Sequence, residues 1–104
     1  MYNLVNYPAP FTAIYGARYT GGEPSNRILS SVNNNWLLGY WGTRMDVAFF
    51  DGWLTPNLPP VNSSNTDFSI YAGKSSGTIA SLYKNGNLLE SNDGGLTGPN
   101  GIEL

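Results

Sequence analysis

Asp46 and Asp51 are the first residues to ask about chemistry, because this 104-residue chain contains no cysteine and no histidine. Without them there is no thiol nucleophile, no Cys-based metal site and no imidazole general base. A metal would need oxygen ligands. What remains is carboxylates, hydroxyls and aromatic rings. A retaining glycosidase works with two carboxyl groups about 5–5.5 Å apart, one as nucleophile and one as acid/base. Two residues share a strand face only at even spacing. In Met45-Asp46-Val47-Ala48-Phe49-Phe50-Asp51 the two carboxylates are five apart, and the position two after Asp46 is Ala48. The spacing therefore does not make the pair, and the chain reads as a non-enzyme. The plainer reading makes Asp46 a solvent-side strand residue and Asp51 a turn residue before Gly52.

Calcium needs six to eight oxygen ligands. Asp93 with Asn92 and Asn100, or Asp51 with Asp46, would be the donors, but no Asp-x-Asp-x-Asp run exists. Asn92-Asp93-Gly94-Gly95 reads more simply as a turn, so no cofactor is expected. The aromatic rings are the stronger binding signal. The chain has three Trp, seven Tyr and four Phe, and flat rings can either fill a core or present stacking faces. Trp36, Tyr40, Trp41 and Trp53, with Asp46 and Asp51 as polar neighbours, form the candidate ligand-binding set. Arg18, Arg27, Arg44, Lys74 and Lys84 are scattered, and the net charge is −2. No basic footprint for nucleic acid results, nor a polybasic membrane patch. No apolar run approaches the roughly 20 residues of a membrane span. The segment Met1–Pro8 has neither the basic region nor the apolar stretch of a signal peptide. Asn62-Ser63-Ser64 matches an N-glycosylation acceptor.

The elements that must position these residues are strands. No apolar stripe of helical period is sustained, because Gly, Asn, Ser and Pro interrupt every window of about ten residues. Short aromatic and β-branched runs predict strands near Phe11–Tyr19, Arg27–Ser31, Trp36–Tyr40, Met45–Phe50, Asp67–Tyr71, Thr78–Lys84 and Asn87–Ser91. Asn85-Gly86 between two apolar runs predicts a two-residue type I′ hairpin. That turn pairs Lys84 with Asn87 and sets Tyr83 opposite Leu88. Thr55–Asn65 holds three prolines within five positions and reads as a loop that crosses between sheets or covers an edge. Alternation places Trp36, Leu38 and Tyr40 on one strand face and Leu37 and Trp41 on the other. Both faces are apolar, so part of the aromatic set must be covered by a partner or exposed for binding.

Three stretches carry a resemblance. Phe11–Gly22, Arg27–Ser31 and Asn35–Gly42 resemble the opening strands of concanavalin A-like (laminin-G-like) β-sandwich domains. Phe68–Gly73 and the Ser81–Leu89 hairpin resemble later strands of the same fold. The likeness runs from about Phe11 to Leu104, and similar patterns occur in secreted microbial proteins and in phage or virus structural proteins. Its motifs are structural. The family's glucanases carry their carboxylates on one face of one strand, a pattern that Asp46 and Ala48 break. The family's domains continue past the position of Leu104, so Ile102-Glu103-Leu104 reads as the start of a strand that is cut off: either the chain is a fragment of a longer domain, or the missing pairing comes from another copy or another protein.

The expectation is one all-β domain over residues 1–104: an antiparallel, jelly-roll-like sandwich of about seven strands, incomplete and closed by a partner. Its expected role is a non-catalytic recognition module outside the cytoplasm or on a virion surface, binding carbohydrate or a glycan-bearing surface. The main alternative is a self-assembling structural protein, such as a virion decoration or filament subunit, whose edges other copies or other chains complete. A glycoside hydrolase relative is the weaker alternative. Nucleic acid and membrane insertion are not expected.

Overall fold

Alternation of apolar and polar residues becomes two stacked antiparallel sheets in the computed structural model, which describes residues 2–20, 27–42, 44–55 and 67–104. Nine strands are present among these residues: β1 (Tyr2–Asn6), β2 (Phe11–Ala17), β3 (Arg27–Ser30), β4 (Trp36–Trp41), β5 (Arg44–Phe50), β6 (Ser69–Ser75), β7 (Ala80–Lys84), β8 (Asn87–Asn92) and β9 (Asn100–Glu103). One sheet has the order β1-β9-β3-β4-β5 and the other β2-β6-β7-β8. No described residue is helical. The all-β antiparallel sandwich expected from the sequence is the architecture observed.

The β7–β8 hairpin forms as its turn residues dictate. Asn85 and Gly86 take positive φ angles of 50° and 81°, the left-handed conformation that a type I′ turn requires. Lys84 pairs with Asn87 and Tyr83 with Leu88. The β6 strand runs past its expected end at Tyr71 as far as Ser75. A side chain at Gly73 would lie 2.9 Å from Leu38 Cδ2 and 3.3 Å from the Phe50 ring, so glycine lets the two sheets approach there.

The core lies between the sheets. Trp36 and Leu38 of β4, Ala48 and Phe50 of β5, Tyr15 of β2, Tyr71 of β6, and Ala80 and Leu82 of β7 form it together with Leu54. Trp36 stacks on Phe50 with ring centroids 5.2 Å apart, and the Phe11 ring meets both edge-on. Each fully buried large side chain here contributes about 1.5–3 kcal/mol of transfer free energy.

Two expectations are corrected. The strand that begins at the C-terminal Ile102 segment does not lack partners. The β9 strand lies inside the five-stranded sheet, with Asn3 opposite Ile102 on one side and Ser30 opposite Glu103 on the other. Asp46 is not on the solvent side. It shares the inward face of β5 with Ala48 and Phe50, because strand alternation carries that face to the end of the core. The stretch between β5 and β6 links strands of different sheets. Its residues 56–66, including Asn62, lie outside the described residues.

Candidate functional site

The six residues singled out from sequence separate into three places. Trp36 is fully buried in the core. It is removed from the stacking set, because its indole is packed between Phe11 and Phe50.

Tyr40 and Asp46 belong to a second place, an aromatic cluster at one end of the core. The Tyr71 hydroxyl donates to Asp46 Oδ1 at 2.7 Å, and Lys84 Nζ donates to the same carboxylate at 3.3 and 3.4 Å. The Tyr15 ring stacks on Tyr71 with centroids 5.0 Å apart, and the Lys84 ammonium lies 5.6 Å from the Tyr71 ring centroid. Tyr40 meets Tyr19 edge-on at 6.3 Å. The register explains the convergence, since Tyr15 pairs with Tyr71 and Tyr71 with Lys84 on one inward face of the four-stranded sheet. Burial, then the Asp46 charge, pushes the Tyr15 phenol well above the usual tyrosine range. Burial raises Tyr71 as well, reinforced by the proton it shares with Asp46 and by the charge of that carboxylate. These phenols hold their protons harder than free tyrosine does, the reverse of what a tyrosine nucleophile or general base requires.

Trp41 and Trp53 come together in the third place, the outward face of the five-stranded sheet. Trp41 ends β4 on the face opposite Trp36 and Leu38. Trp53 reaches the same face because the chain reverses directly after β5. Asp51 takes a positive φ of 57°, and Gly52 packs so closely that a Cβ there would lie 2.0 Å from the Gly94 carbonyl oxygen. Residues 53–55 then run back along the outer edge of β5. Trp53 bridges to Phe49, the Leu54 amide donates to the Ala48 carbonyl, and Thr55 Oγ1 accepts from the Ala48 amide at 3.0 Å. The Trp53 and Phe49 rings meet edge-on at 5.0 Å.

Trp41 is 44% exposed and Trp53 41% exposed. With Gly42 and Arg44 they line an open depression of about 340 Å³. A smaller adjoining hollow is shared by the same two indoles with Arg27, Asn35, Leu37 and Phe49. The Arg27 guanidinium lies 5.1 Å from the Trp41 ring centroid and donates to Asn35 Oδ1 at 3.3 Å. Asn35 sits on a firmly tied loop. Its carbonyl accepts from the Asp51 amide. The neighbouring Asn34 contacts Ser31, receives the Asn100 amide at 2.9 Å and donates to the Gly98 carbonyl. Asp51, the remaining sequence candidate, lies at this loop and accepts from Asn34 Nδ2 at 3.5 Å.

The groove thus combines two half-exposed indoles, a guanidinium over the ring of one of them and a side-chain amide. Arg27, Arg44 and Asn35 do not stand out as site residues from the sequence. The arginines read there as scattered, and only the β3–β4 and β4–β5 registers, Arg27 opposite Gly39 and Trp41 opposite Arg44, gather them. Among the described residues no three His, Cys, Asp or Glu side chains group as metal ligands. Asn92 is engaged locally, accepting from the Gly94 amide and donating to the Leu54 carbonyl. No family model matches the chain, and neither a curated protein nor a solved structure is significantly similar to it.

Proposed function

We propose that this protein is a non-catalytic recognition module that holds carbohydrate on the Trp41–Trp53 groove, outside the cytoplasm or on a virion surface. The observation that carries the reading is the pairing of two half-exposed tryptophans on one sheet face with Arg27 and Asn35 beside them. Indole faces pack against the apolar face of a sugar ring, and guanidinium and amide donors reach its hydroxyls. A rigid sheet presents these groups with little ordering cost on binding. The resemblance to concanavalin A-like sandwiches points the same way, since recognition of surfaces and sugars is common in that fold.

The test is titration with a panel of neutral and acidic oligosaccharides while tryptophan fluorescence is followed. Trp41→Ala and Trp53→Ala are each expected to weaken binding about tenfold, close to 1.4 kcal/mol. A flat response from the native chain across the panel would reject the proposal.

A specific observation supports the structural-assembly reading as second. On the outward face of the four-stranded sheet, Ile14, Ala72, Tyr83 and Leu88 stand in register across all four strands. Ile14 is 70% exposed and Leu88 55%. An apolar row of this kind is a contact surface in search of a cover. Light scattering checks it: Ile14→Lys is expected to dissolve any assembly built on this row, and a native chain that stays monomeric at high concentration would end this reading.

A further inference from the structure

Four strands form the sheet edges, and three of them are guarded. Residues 53–55 fold back along β5. The β8 strand carries a bulge and Glu90. The β1 strand pairs irregularly, with a register shift between Asn3 and Asn6. The β2 strand has none of these devices. Its seven residues, Phe-Thr-Ala-Ile-Tyr-Gly-Ala, contain no charge and no proline. They pair with β6 in one unbroken register, and among the described residues β2 has no backbone partner on its other side. Exposed edges without charges, prolines or bulges are templates for strand pairing.

The inter-sheet seam is also open beside this edge. Tyr7, Phe11, Ala13, Trp36, Pro99 and Ile102 line an apolar pocket of about 180 Å³ there. Ile102 belongs to β9, so the five-stranded sheet continues under the space next to β2 where the four-stranded sheet has stopped. One wall is Trp36, whose indole Nε1 is buried with no hydrogen-bond partner.

From these observations we infer that β2 is a strand-addition site. Its occupant is an extended segment of a partner protein with apolar residues at alternate positions. Main-chain hydrogen bonds along β2 supply the pairing, and one inward apolar side chain fills the pocket over Ile102. A second copy fits this edge badly. Two chains joined through β2 would each bring β9 and β1 into the space beneath the other's β2.

The probe is an acetylated peptide alternating valine and threonine between terminal lysines, added to the whole chain and followed by amide hydrogen exchange. Slowing of β2 amide exchange by about tenfold or more, with β1 and β8 unchanged, is expected. The same peptide N-methylated at alternate residues is expected to give no protection. Ala13→Leu, which fills the pocket from within, is expected to weaken peptide binding at least about tenfold while circular dichroism stays native. Protection spread equally over all edges overturns the inference. So does unchanged binding by a natively folded Ala13→Leu, or β2 protection that rises with protein concentration in the absence of peptide, which would identify a second copy as the occupant.

Discussion

Raising the pH above about 10 is expected to destabilise this fold steeply, with Tyr15 and Tyr71 as the groups responsible. In the unfolded chain a tyrosine ionises near pH 10. In the fold both phenols keep their protons well beyond that, Tyr15 through burial and the nearby Asp46 charge, Tyr71 through burial and its hydrogen bond to Asp46. Above pH 10 the unfolded state therefore binds fewer protons than the native state, and stability falls as pH rises. Below pH 10 both states are protonated and the contribution is constant. Each group lowers stability by up to about 1.4 kcal/mol per pH unit, so the pair costs up to about 2.7 kcal/mol per unit. Two units of rise then remove on the order of 5 kcal/mol, comparable with the whole stability of a small domain. Urea midpoints measured from about pH 8 to pH 12 follow this directly. Tyr71→Phe removes one of these two groups and is expected to lower the alkaline slope by up to about half, the Tyr40 phenol, also raised by burial and the Asp46 charge, adding a smaller part. Equal midpoints at the two extremes would show that these phenols ionise freely.

Trp36→Ala is expected to cost about 3–5 kcal/mol, the range for deleting a large aromatic from a packed core. Trp36 has no exposed surface, stacks on Phe50 and receives the Phe11 edge. Its removal leaves a cavity between the sheets that backbone-paired strands on both sides cannot collapse into. Trp41→Ala, five residues along the same strand, is expected to change stability by no more than about 1 kcal/mol, since nearly half of that side chain already faces water. Denaturant melts of the two variants separate the roles. Similar losses at both positions would contradict the opposite faces assigned to them. The contrast also protects the binding test, because Trp41 and Trp53 can be altered with the core intact.

Much of this architecture is written locally. Asn85-Gly86 fixes a turn whose flanking pairs can be counted off residue by residue, and the Trp36–Tyr40 and Met45–Phe50 runs announce strands by their aromatic content. One strand escapes that kind of reading and another shows only its end. Tyr-Asn-Leu-Val-Asn in β1 is short and polar enough to pass for loop, and of Asn-Gly-Ile-Glu in β9 only the Ile102-Glu103 part announces a strand; both are strands because they pair with each other across nearly the whole chain. Asp46 misleads for a different reason. A carboxylate in a strand reads as solvent-facing, yet Tyr71 and Lys84, 25 and 38 positions away, satisfy it at the end of the core. The candidate site divides the same way. Trp41 and Trp53 are visible as aromatics. Arg27 and Asn35 become their neighbours only through sheet register and through the Asn34–Asn100 tie, information that no local window contains.

The placement of β9 between β1 and β3 also sets the order in which this molecule can be made. As a nascent chain leaves the ribosome, β3, β4 and β5 can assemble early, but β1 has no neighbour until residues 100–103 emerge. Closing contacts between the first and last strands carries the largest loop entropy in the topology, which slows the final step. The newborn polypeptide therefore carries an unpaired β1, a site open to aggregation, until residues 100–103 have emerged.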